Sequence, residues 1–100
     1  MIVERVPPSR AYRRSLRRAF GSHLEALRCD PGRFVSQEEL ALQARLDRTY
    51  VGQLENAEKT PSLFTLHLIA TALGRPLADL LPDHEPPELS QPPESRLDGR

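Results

Sequence analysis

One hundred residues, 38% hydrophobic and only 5% aromatic, make one domain whose modest core rests on Leu, Ala, Ile and Val, which leaves little room for an enzyme's deep pocket. Net charge is zero, but residues 1–35 carry +5, residues 36–81 −2 and residues 82–100 −3, and binding answers to the field of a face rather than to the chain total. No run nears the roughly 18 apolar residues of a membrane helix, no secretion signal opens the chain, and the lone Cys29 excludes an internal disulfide or a cysteine-based zinc site, so a cytoplasmic setting is expected.

Residues 1–9 read as a short arm ended by Pro7-Pro8. From Arg10, the residues Tyr12, Leu16, Ala19, Phe20, His23, Leu24 and Leu27 recur at helical spacing and predict an amphipathic first helix, ringed by arginines and capped by Ser9. Gly21 within it costs about 1 kcal/mol against Ala, which points to a break or a close helix contact. Asp30-Pro31-Gly32 ends the helix.

Ser36 opens a second helix, with Glu39 completing a Ser-x-x-Glu capping box. Its inner face is Leu40, Ala41 and Ala44. The chain then turns at Arg45-Leu46, and Asp47 caps a third helix with Val51 and Leu54 inward. That leaves Arg48, Thr49, Gly52 and Gln53 outside. After a loop over residues 56–60, Thr60 and Pro61 start a fourth helix with the stripe Leu63, Leu66, Ile69, Ala70 and Leu73, stopped by Gly74. Pro76 begins a last short helix through Leu77, Leu80 and Leu81. Residues 82–100 are rich in Pro and acids and read as an extended, disordered tail, unable to bury enough apolar surface to offset its ordering entropy. The reading is therefore all-α: a five-helix domain over residues 10–81, between an arm and an acidic tail.

A capped short helix, a tight turn and a polar-faced helix form the geometry that reads a DNA major groove. Five segments, Ser-Gln-Glu-Glu-Leu-Ala, Leu-Asp-Arg-Thr-Tyr-Val, Gln-Leu-Glu-Asn, Thr-Pro-Ser-Leu and Ile-Ala-Thr-Ala-Leu-Gly, occur in this order and spacing. Together they resemble the Cro/repressor-type (Xre) helix-turn-helix family, whose fold is lambda-repressor-like. The motif around Leu46–Val51 is most similar to restriction–modification controllers and related small regulators. The resemblance runs from about Phe20 to Leu81.

The resemblance implies a sequence-specific transcriptional regulator that binds double-stranded DNA as a homodimer on a palindromic operator. It implies base contacts from Arg48, Thr49 and Gln53, where Arg suits guanine, Gln adenine and the Thr methyl thymine. It implies backbone contacts from Gln37, Tyr50, Asn56 and Lys59. It also implies a buried Arg28–Glu55 ion pair tying the first helix to the third, and pairing of protomers through the last two helices, with Leu77, Leu80 and Leu81 as the surface. Departures from the family pattern are Arg45 at a turn position often Gly, Gly52 on the reading face, Ala57 in place of a loop Gly, and a two-residue insertion near Arg33-Phe34-Val35.

Blander readings stand beside these. Arg48, Thr49 and Gln53 also fit an ordinary solvated helix face, and Arg13-Arg14 and Arg17-Arg18 fit a soluble face and a phosphate clamp equally well. Leu77, Leu80 and Leu81 also fit the core. His23, His67 and His84 share no metal spacing, and Cys29 reads as a helix-end residue. No cofactor or metal set, nucleophile elbow or Gly-rich phosphate loop is present, so the chain reads as a non-enzyme. The rival reading is a protein-interaction module of the same fold, an antitoxin or accessory factor holding a partner protein with its tail.

Overall fold

The computed structural model describes residues 10–83. The Ser9 cap, the arm over residues 1–9, His84 and the tail from residue 84 on lie outside the described residues. Four α-helices follow one another: α1 Arg10–Arg28, α2 Gln37–Ala44, α3 Arg48–Glu55 and α4 Leu63–Leu73. A single 3-10 turn, Leu77–Leu80, closes the described chain.

Each boundary has a local cause. The Ser36 hydroxyl accepts from the Glu39 backbone N–H at 3.0 Å to open α2, and the Asp47 carboxylate accepts from Thr49 N–H at 3.0 Å to open α3. Between them Arg45 adopts left-handed φ 60°, ψ 41°, and the following Leu46 N–H returns to Ala41 O at 2.8 Å. That bond closes the end of α2 and swings the chain into α3. Gly74, at φ 68°, ends α4 in the same way, with Arg75 N–H on Ala70 O at 3.0 Å. The Arg33 guanidinium donates to the Leu73 carbonyl there at 3.2 Å.

Two expectations are corrected. Helix α4 starts at Leu63 behind Ser62, whose Oγ accepts from Thr65 N–H at 3.0 Å, and not behind Thr60. Leu63 is the first residue of the helix and stands 71% exposed, so it leaves the inner stripe. The last element is a 3-10 turn rather than an α-helix, held by i→i+3 bonds from Asp79 N–H to Pro76 O and Leu81 N–H to Ala78 O. Only five residues separate Pro76 from Pro82, and helical pieces this short commonly close with the tighter i→i+3 bonds.

Leu24, Leu40, Val51, Leu54, Ile69 and Leu80 are fully buried and form the centre of the core, each stabilising it by about 1.5–3 kcal/mol. Helix α1 runs unbroken through Gly21, because α3 approaches it there at backbone distance. A Cβ at Gly21 would lie 2.5 Å from Glu55 O and 2.8 Å from Leu54 O. The 3-10 turn is tied to α1 by His23 Nε2 donating to Asp79 O at 2.6 Å, and Arg75 bridges Asp30 at 3.3 Å and Asp79 at 3.5 Å. Leu80 thus fills the core and Leu77 packs half-buried against it. Of the three residues expected to face a second protomer, Leu81 alone is exposed.

Candidate nucleic-acid interface

Helix α3 is fixed from beneath by one carboxylate. Glu55 accepts from Arg28 Nε at 2.6 Å and Nη2 at 3.0 Å, and from Gln37 Nε2 at 2.8 Å. Arg28 Nη1 donates to Val35 O at 3.0 Å, and Arg28 O in turn accepts from Val35 N–H. The carboxylate therefore joins α1, the loop after it, α2 and α3. Both ion-pair side chains are buried, at 8% and 5% exposure, so neither charge is solvated except by the other and its hydrogen bonds. The Glu55 hydrogen bond raises the Arg28 pKa, outweighing the opposing effect of burial.

On this base stands an exposed polar groove of about 450 Å³, lined by Gln37, Glu38, Arg48, Thr49, Gly52, Gln53, Asn56 and Glu58. Arg48 and Thr49 lie in the first turn of α3 and are exposed; Gln53, one turn on, is half-buried. Gly52 adds no side chain, and the Gln37 carboxamide fills the space over it: a Cβ there would sit 3.5 Å from Gln37 Oε1. Beside the groove, Tyr50 packs half-buried against the core and shares a shallow depression with Asp47, Thr49, Gln53 and Lys59.

The expected base-contact residues thus share one surface, and Gln37 and Asn56 border it while Lys59 lies exposed next to it. The Arg28–Glu55 bridge is present as expected. Three features escaped the sequence reading. Arg48 Nη1 pairs with Glu38 Oε2 at 3.0 Å across the groove. Gln37 spends one amide N–H on Glu55, leaving its second for another acceptor. Arg17 Nε donates to Ala57 O at 3.1 Å, pinning α1 to the loop after α3, where Ala57 is left-handed at φ 64°. Only the first carried a sequence signal, an acid on α2 and an arginine at the start of α3. Among the described residues no group of His, Cys, Asp or Glu is placed to hold a metal ion, and no helix is long and apolar enough to cross a membrane.

A Helix-turn-helix family model matches residues 35–80. The control protein C.MunI of a Mycoplasma species is 41% identical over 66 residues, spanning 66% of this chain and 88% of that protein. The crystal structure of the restriction–modification controller protein C.AhdI from Aeromonas hydrophila aligns with TM-score 0.61 at 38% identity, covering 65% of this chain and 96% of that one. The structure of the hypothetical transcription factor NHTF from Neisseria aligns with TM-score 0.61 at 30% identity, over 100% of this chain and 98% of that one. With capped helices, turn and buried bridge in place and relatives matched over most of their length, the chain belongs to the Xre-type helix-turn-helix family.

Proposed function

We propose that this protein is a sequence-specific transcriptional regulator that places α3 in the DNA major groove. The observation that carries this is one groove lined by exposed Arg48 and Thr49 and half-buried Gln53, on a helix locked to its scaffold by the Glu55 network. An orientation fixed in advance leaves little conformational entropy to be lost when base edges are met. Arg48 has the fork for guanine O6 and N7, Gln53 the amide for adenine N6 and N7, and Thr49 a methyl for thymine. The second N–H of Gln37, with Tyr50, Asn56 and Lys59 around the groove, supplies phosphate contacts that set register.

The protein binds as a homodimer on a palindromic site, with two α3 helices spaced by one helical turn of about 34 Å. Leu63 and Phe64, both more than two-thirds exposed at the start of α4, are the apolar residues offered for that pairing. Selection of bound fragments from random duplex DNA tests the reading. It predicts a recovered palindrome, and affinity that falls steeply with salt. Arg48→Ala or Gln53→Ala should then relax base preference, while Gln37→Ala weakens all sequences alike. No enrichment, with binding indifferent to salt, would refute it.

A protein-interaction module of the same fold is the second reading. Glu38 and Glu58 favour it, since two carboxylates at the rim of the groove repel phosphate. Under that reading the Arg48 and Gln53 variants leave DNA behaviour unchanged, and deletion of residues 84–100 abolishes a protein complex.

A further inference from the structure

A second, apolar groove of about 410 Å³ lies on the molecule, lined by a different set of residues. Helix α1 supplies one wall with Tyr12, Leu16 and Phe20, Leu66 of α4 contributes another, and Leu81-Pro82 closes it. Leu16 is 40% exposed and Leu81 56%, so apolar surface stands open to solvent on both sides. Arg13 and Arg17 also line it. The Nε bond from Arg17 to Ala57 O holds that guanidinium in place while leaving its two Nη groups outside the bond.

We propose that this groove is the docking site of the chain's own acidic, proline-rich segment, residues 84–100. Three features select that occupant. The segment leaves the described structure at Asp83, one residue beyond the wall formed by Pro82, so it starts beside the groove. After His84 it runs Glu85-Pro86-Pro87-Glu88-Leu89, a stretch whose two carboxylates and one apolar side chain suit two arginines and an aromatic-lined cleft. Paired prolines restrict φ before binding, so such a segment loses less entropy in an aromatic-lined groove than an unrestricted one. Its seventeen residues can span up to about 55 Å extended, against about 28 Å for all of α1, so reach is not limiting.

The N-terminal arm fits less well. Its Glu4 and Arg5 cancel, leaving the two arginines no counter-charge. A tethered partner also acts at an effective concentration that a second molecule reaches only at high protein concentration. In place, residues 84–94 cover Leu16 and Leu81 and neutralise Arg13 and Arg17.

Nuclear magnetic resonance of the isotope-labelled full chain, without DNA, tests this apart from the proposed function. At low salt the expected result is proton–proton contacts from the Leu89 methyls to the Tyr12 and Phe20 rings, independent of protein concentration. Glu85→Lys with Glu88→Lys should abolish these contacts and move residues 84–94 to random-coil shifts, while Leu54 and Ile69 signals stay put and report an intact core. Random-coil shifts for residues 84–94 in the unmodified chain would overturn the proposal. So would contacts to the groove from Ile2, Val3 or Val6 instead, or groove shifts that track protein concentration, the sign of a second copy.

Discussion

Glu38 holds Arg48: the carboxylate of α2 lies 3.0 Å from the guanidinium at the front of α3, with both side chains mainly in solvent. Such an exposed pair adds only about 0–1 kcal/mol to stability, so its effect lies in where it aims the guanidinium and in the negative charge it adds. Glu38→Gln should leave the melting temperature nearly unchanged. It should strengthen binding to arbitrary duplex DNA while lowering the preference for guanine under Arg48, a preference of about 1–3 kcal/mol when the contact is bidentate. Competitive titration against matched and mismatched duplexes measures both, and an undiminished preference would show that Glu38 does not aim Arg48.

Loss of the Glu55 carboxylate strands a buried guanidinium. Glu55→Ala removes three accepted hydrogen bonds at once and should destabilise the domain by about 3–5 kcal/mol. Because the whole domain's stability is of order 5–15 kcal/mol, urea denaturation should show a large drop in midpoint or no folded baseline. A well-folded Glu55→Ala protein would mean that Arg28 finds another partner. The Arg28 pKa is raised on folding, so its side of the bridge holds at all moderate pH and is lost only as strong alkali removes that proton.

The turn between α2 and α3 is strained at Arg45, whose φ of 60° is left-handed. Such a backbone costs a side-chain-bearing residue about 1–2 kcal/mol, against about 0.5–1 kcal/mol of extra chain entropy that glycine loses on folding. Arg45→Gly should therefore stabilise the fold by up to about 1 kcal/mol, seen as a rise of several degrees in thermal melting. A fall would show that the Arg45 side chain contributes more than the strain removes.

Ser62 and Thr60 separate the observed cap from the expected one. Ser62→Ala removes the bond from Thr65 N–H and should cost about 1 kcal/mol, while Thr60→Ala should cost much less. Equal losses in denaturation would place the start of α4 elsewhere.

Local chemistry made the first three helices legible. Ser36 and Asp47 announce the caps of α2 and α3, and apolar periodicity the inner faces of α1 and α3; Gly74 likewise announced the end of α4. The start of α4 was misplaced because Thr60, Pro61 and Ser62 are all good N-terminal residues, and the sequence does not show that the Ser62 hydroxyl is the one that meets the Thr65 N–H. Leu77 and Leu80 looked equally suited to core and interface, and only the His23 bond and the Arg75 bridges, made over long sequence separations, draw that turn inward. At the site, the motif was enough to group Gln37, Arg48, Thr49, Gln53 and Asn56 on one surface. The partners were not readable: Gln37 on Glu55 and Arg48 on Glu38 are distances between helices, set by the crossing of α2 over α3 rather than by either sequence alone.

Gly21 gives α3 a seat without upholstery: hydrogen alone separates the two main chains, and the Leu54 and Glu55 carbonyls opposite it cannot retreat without uncoiling the end of α3. A helix clamped so closely cannot be tilted or raised by swapping one spacer for a bulkier one. Under the proposed groove-reading role, altered sequence preference would have to come from redrafting the outward side chains, with the platform kept constant and its lettering free to vary.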